Sequence, residues 1–181
     1  IERILAGDTQ SFSCLVAKYE KMAYTIALRI LENREEAEEA VQDAFVKMYR
    51  ALSDFHFDSK FSTWFYRIVY RTALTALRQQ RMFVSYEEAG PVDLSNDEVE
   101  SATALLERED RKEMIARTLK KLPADEALLL TLYYLEECSV EEICQITELS
   151  ASNVKVKLFR GRKRFYEVLQ DKMKLETADL L

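Results

Sequence analysis

The chain has few residues that break or bend a backbone: three glycines and two prolines in 181 residues. That scarcity argues against a sandwich or barrel, which needs many turns, and favours helix. A single histidine, His56, stands apart from any cysteine or carboxylate cluster, so a catalytic metal centre is not expected. The three cysteines, Cys14, Cys138 and Cys144, are scattered and form no CxxC pair. They read as buried thiols in a reducing compartment rather than a disulfide frame. No apolar run reaches the roughly 18 residues that a membrane span requires, and no signal peptide is visible ahead of the first residue, Ile1. Apolar residues nonetheless make up 48% of the chain, enough to bury one core or two small ones.

What the chain does have is segregated charge. It is acidic overall, with 26 Lys and Arg against 32 Asp and Glu. Two stretches hold no acid at all: residues 59–82 carry five cations, and residues 150–165 carry Lys155, Lys157, Arg160, Arg162, Lys163 and Arg164. Two basic blocks in an acidic background point to a polyanion touched at two places, and the surrounding acids predict weak binding without a partner.

Apolar spacing predicts helices throughout. The first runs from Ser11 to Leu31 with Asp8 near its start. Asn33 opens a second, to Leu52, with Glu36 placed as in a capping box. Ser62 reads as the cap of a third, and residues 83–100, with Gly90 and Pro91, read as a linker. Helix resumes from Ala102 to Leu122 and again at Pro123. Ser139 and Glu142 form a second capping box before a short helix, Val140 to Ile146. That helix, the turn "TELS" and the basic helix after it have the order of a helix-turn-helix.

Advancing about 100° per residue along the last helix, Val154, Leu158, Gly161 and Phe165 share one face. Ser152, Val156, Phe159, Arg160, Lys163 and, at the edge, Asn153 share the opposite one. Lys155 and Arg162 flank this outer face on one side, Lys157 and Arg164 on the other. Such a face suits a major groove, where Arg, Asn and apolar groups meet base edges and margin cations meet phosphates. On the third helix, Lys60, Arg67, Arg71, Arg78 and Arg81 make one stripe opposite Phe61, Phe65, Ile68, Thr72 and Ala76. The preceding "DFHFDSKFSTWF" mixes aromatics with small polar groups, a composition suited to stacking on unpaired bases. The acid-rich second helix reads either as a solvated surface or as a docking face for a protein.

The stretches "AEEAVQDAFVKMYRAL", "FSTWFYRIVYRTALTALRQ" and "LPADEALLLTLYYLEECSVEEICQITELSASNVKVKLFRGRKRF" resemble, in order and spacing, bacterial RNA polymerase sigma factors of the extracytoplasmic-function (ECF) type in the sigma-70 family. The resemblance implies an all-α chain of two small helical domains joined by an acidic linker: residues 1–82 as region 2, 83–112 as linker and 113–175 as region 4. It implies docking on the β′ clamp helices of core RNA polymerase through Glu39, Gln42, Asp43 and Phe45, and contact with the β flap. It assigns −10 element recognition and melting to Asp58, Ser59, Lys60, Ser62, Trp64, Arg67, Arg71 and Arg78. It assigns −35 recognition to Asn153, Lys155, Val156, Phe159, Arg160, Arg162 and Lys163. Promoter DNA and an anti-sigma factor, often membrane-tethered, are the implied partners. A cytoplasmic bacterial protein, monomeric when free, without cofactor, small-molecule substrate or enzymatic activity, completes the expectation. Two positions depart from the family pattern: Arg71 stands where Asn is frequent, and Glu148 where the helix-turn-helix turn usually has Gly. A stand-alone dimeric helix-turn-helix regulator is the alternative, which leaves the first basic stripe without a purpose.

Overall fold

The computed structural model describes residues 1–84 and 106–178, all of whose regular elements are helical. In chain order these are α1 (Glu2–Leu5), α2 (Thr9–Leu31), α3 (Arg34–Arg50), a 3-10 turn (Leu52–Asp54), α4 (Phe61–Val84), α5 (Leu106–Lys120), α6 (Ala124–Tyr134), α7 (Val140–Thr147) and α8 (Ala151–Ala178). The Gly90–Pro91 segment and the helix start expected at Ala102 lie outside the described residues.

Local chemistry sets most helix starts. A side-chain oxygen of Asp8 accepts from the Ser11 N–H at 3.0 Å, and that of Asn33 accepts from the Glu36 N–H at 3.2 Å. Each satisfies a backbone donor that the first helical turn leaves open. The Asn33 cap is half a capping box, because Glu36 Oε1 accepts from Gln80 Nε2 of α4 at 3.0 Å instead of closing back on Asn33. At α7 the box is complete: Ser139 Oγ accepts from the Glu142 N–H at 3.2 Å, and Glu142 Oε2 accepts from the Ser139 N–H at 2.8 Å. Ser62 is not a cap, since α4 begins at Phe61 and encloses it in the first turn. α2 and α7 both end on a left-handed residue that is not glycine: Glu32 at φ 55° and Glu148 at φ 62°.

α2, α3 and α4 pack against one another around Ala23, Ile26, Ala27, Ala37, Ala44, Met48, Phe65, Val69 and Ala73, all fully buried. Small residues along α2 and α3 let the helices approach closely, and Phe65 fills the space between. In the second half, α8 lies on α6 and α7 over Leu129, Leu132, Ile143, Ile146, Val154 and Leu158. The halves are not separate bodies, because α4 packs on α7 and α2 on α6, and their buried apolar residues form one continuous core. Arg29 of α2 is drawn into this junction, where its guanidinium donates to the Leu119 carbonyl at 3.3 Å. The thiols are less uniform than expected: Cys138 is buried and Cys144 half-buried, but Cys14 is exposed on the outer side of α2.

Candidate nucleic-acid interface

The helix-turn-helix is built by α7 and α8. Val154 and Leu158, 0% and 3% exposed, anchor α8 inward. Gly161 continues that face, and a Cβ there would stand 3.2 Å from Leu130 Cδ1 and 3.3 Å from Glu126 Cβ of α6. Absence of a side chain therefore sets how closely α8 approaches α6. The opposite face carries Val156, 47% exposed, and Phe159, 64% exposed, with Asn153, Lys155, Arg160, Arg162 and Lys163 also exposed. Leaving a phenylalanine largely in water costs the hydrophobic free energy its burial would provide.

The two margins of α8 differ. Lys157 is paired with Asp125 of α6, and Arg164 Nη1 lies 3.1 Å from Glu126 Oε1, a residue 5% exposed. These two cations fasten α8 to α6, so the margin read from the sequence as a phosphate contact is occupied within the fold. On the other margin Arg162 donates to the Tyr134 hydroxyl at 3.2 Å. Burial raises the Asp125 pKa, but the Lys157 ammonium outweighs it and leaves the carboxyl below its ordinary value.

The second basic face lies on α4 and the loop before it. Arg67, Arg71 and Arg78 are exposed along one side of the helix, with Lys60 just ahead of it. Asp58 is exposed, and Ser59 and Ser62 are half-buried. Trp64 is half-buried, its ring 5.0 Å from that of Phe55 and 5.6 Å from that of Phe61. Phe57 is different: it is 66% exposed, sits at φ 60° and overlies Phe55 at 4.7 Å. A non-glycine residue held left-handed with its ring in solvent is an uncommon arrangement. Sequence reading placed Phe57 among the core candidates; its alternation with Phe55 was the available signal that the two rings differ in burial.

Acids from α7 and the turns around it meet this face. Lys60 Nζ lies 3.0 Å from Glu142 Oε1. Arg71 Nε donates to Glu148 Oε1 at 2.8 Å, and Arg67 Nη2 approaches the same oxygen at 3.4 Å. The Tyr66 hydroxyl donates to Glu136 Oε2 at 2.8 Å. The Arg71 hydrogen bond holds the Glu148 carboxyl below its ordinary pKa, and Glu142 raises that of Lys60.

On α3, Glu39, Gln42 and Asp43 are exposed, with Asp43 paired to Lys47 at 2.7 Å. Phe45 is 8% exposed with its ring 4.7 Å from that of Phe65, so it supports this face from beneath. The exposed apolar groups are Val46 and Tyr49, 46% and 51% exposed. Beside them a cleft of about 500 Å³ is lined by Ile4, Phe12, Val16, Gln42, Phe45 and Tyr49. Val46 and Tyr49 were missed in the sequence, although Gln42, Val46 and Tyr49 follow the i, i+4, i+7 spacing of a single helix face.

Comparison with known proteins agrees with this architecture. Residues 15–82 match the family model for Sigma-70 region 2, and residues 112–165 that for Sigma-70, region 4. The chain is 32% identical over 177 residues to the RNA polymerase sigma-H factor of Pseudomonas aeruginosa, covering 94% of this chain and 92% of that protein. It is 31% identical over 170 residues to the ECF RNA polymerase sigma-E factor of Escherichia coli, covering 90% and 88%. Among solved structures, the sigma factor RpoE in complex with the anti-sigma factor NepR from Bartonella quintana aligns at a TM-score of 0.72 and 18% identity, over 89% of this chain and 98% of that one. CnrH in complex with the cytosolic domain of CnrY aligns at 0.58 and 21%, over 92% of each. With both region models matched in order and relatives above 30% identity over nearly its whole length, the chain belongs to the sigma-70 family as an ECF-type sigma factor, a protein that binds core RNA polymerase and directs promoter-specific transcription initiation.

Proposed function

We propose a division of that work among named residues. Residues 1–82 dock on polymerase and read the −10 element, residues 113–175 read the −35 element, and residues 83–112 connect them, with α5 beginning inside the connector at Leu106. Val156, Phe159 and Arg160 meet base edges of the −35 duplex, while Lys155, Lys163, Arg162 and Asn153 meet its backbone or neighbouring bases. The loop Asp58–Ser59–Lys60 with Ser62 and Trp64 takes the unpaired −10 strand, and Arg67, Arg71 and Arg78 follow its phosphates. Glu39, Gln42 and Asp43, over Phe45, form the polymerase-docking face together with Val46 and Tyr49.

The observation that carries this reading is the two-sidedness of α8: Val154 and Leu158 are buried, while Val156 and Phe159 stand in solvent. A helix that exposes apolar groups between cations suits a groove better than bulk water. The protein acts without catalysing a reaction, in the bacterial cytoplasm, as a monomer under an anti-sigma factor. Among the described residues no helix is long and apolar enough to cross a membrane.

Transcription in vitro with core RNA polymerase over a library randomised at both elements tests the assignment. Phe159→Ala with Arg160→Ala should erase the −35 preference and leave the −10 preference intact. A dimer footprinting symmetrically without polymerase would instead favour a stand-alone regulator.

A further inference from the structure

The cations proposed to follow single-stranded DNA are already engaged by the chain's own second half. Glu142 serves two elements at once. Its Oε2 closes the capping box of α7 at Ser139, while its Oε1 lies 3.0 Å from Lys60 Nζ and 3.4 Å from the Thr63 hydroxyl of α4. Glu148 sits on the left-handed residue that ends α7, and one of its oxygens receives both Arg71 and Arg67. Beside these pairs, Glu136 accepts from Tyr66, a residue 2% exposed and so covered by the contact. Glu148 and Arg71 are also the two positions that depart from the family pattern in sequence.

We propose that this contact is an intramolecular latch: Glu142 and Glu148 of the helix-turn-helix occupy Lys60, Arg67 and Arg71, so that the free chain is closed to nucleic acid until its halves separate. The proposal rests on the reading of the α4 stripe as a nucleic-acid face. Physically it is a competition between two anions for the same cations. A carboxylate held at 2.8–3.4 Å from the guanidinium groups must be displaced before a phosphate takes its place. The Glu–Arg and Glu–Lys pairs are exposed enough to be screened by salt, whose Debye length is about 10 Å at 0.1 M. The latch is therefore reversible, and a binding partner that favours the separated halves shifts the population toward the open form. If the closed form is about nine-tenths populated, apparent affinity for single-stranded DNA falls about tenfold.

The test uses the full chain. Glu148→Gly removes one carboxylate and also relieves the left-handed backbone, so opening cannot be attributed to local unfolding. Glu142→Gln, combined with it, keeps an acceptor for the capping box. Glu20→Gln with Glu35→Gln, both exposed sites, removes the same charge elsewhere. Small-angle scattering reads the radius of gyration of each protein, and anisotropy of a fluorescein-labelled mixed-sequence single strand reads affinity. The latch variant should show a larger radius and about tenfold tighter binding at low salt, with the charge control unchanged in radius. An unchanged radius in the latch variant overturns the latch. A larger radius without a gain in affinity over the charge control overturns the assignment of the α4 stripe to nucleic acid, and the contact is then structural rather than inhibitory.

Discussion

Arg164 Nη1 lies 3.1 Å from Glu126 Oε1 and so joins the solvent side of α8 to a carboxylate that is 5% exposed. The second oxygen of Glu126 is buried without a hydrogen-bond partner among the described residues. The Arg164 contact is thus a main compensation for burying this acid. Arg164→Ala removes it and should destabilise the protein by about 1–3 kcal/mol, the cost of leaving a buried polar group unsatisfied. Lys163→Ala, one position along and exposed, should stay within about 0.5 kcal/mol. Urea midpoints measure both, and equal losses would refute the distinction. Glu126→Gln should reduce the penalty of Arg164→Ala, because the two side chains share one interaction.

Glu32 gives a prediction of opposite sign. It closes α2 at φ 55°, where a glycine would carry no steric penalty, and it places an acid at the negative end of a helix. Glu32→Gly should raise stability by about 1 kcal/mol, as relief of the left-handed conformation outweighs the added freedom of the unfolded chain. A lowered thermal midpoint would show that Glu32 makes a compensating contact.

Features set within a few residues were legible in the sequence. The caps at Asp8, Asn33 and Ser139 were readable because donor and acceptor lie three positions apart. The inner and outer faces of α8 were readable because helical period alone decides them. The second oxygen of Glu36 escaped, because its partner Gln80 is on another helix. So did the commitment of Lys157 and Arg164, since a wheel drawn for α8 contains no information about the acids of α6. Closure of the halves was the least accessible feature. Arg71 and Glu148 lie 77 positions apart, and charge segregation shows only that acids and bases are available to meet, not which ones do.

Cys138 supplies a test by pH. Burial, and then the nearby Glu142 and Glu136 carboxylates, push its thiol up to about 11 from an ordinary 9.0. Its folded pKa is raised, so the folded state keeps a proton that the unfolded chain has released. This contribution to stability is whole below about pH 9 and is lost as pH rises toward 11. Cys138→Ala should therefore flatten the decline of the unfolding free energy across that window relative to the native chain. At pH 8.5, iodoacetamide should alkylate the exposed Cys14 quickly and Cys138 only after urea is added. Equal rates for the two thiols in the folded protein would contradict this burial of Cys138.

The outer face of α8 separates two kinds of contact with DNA, and substitution should separate them in turn. Phe159 is 64% exposed and Val156 47%, so their truncation removes little packing and should leave the thermal midpoint close to native. If these side chains and Arg160 read base edges, each lost contact removes about 1–3 kcal/mol of discrimination, roughly fivefold to 150-fold between matched and mismatched −35 sequences. Lys155 lies beside them as a cation without a base-edge role in this arrangement. Lys155→Ala should weaken initiation at matched and mismatched promoters alike and reduce the salt dependence of binding by about one phosphate contact. Run-off transcription with reconstituted holoenzyme on paired templates, repeated across a salt series, measures both effects. A uniform loss from Phe159→Ala across all templates would make the aromatic a positioning contact and move sequence readout to Arg160 and Val156.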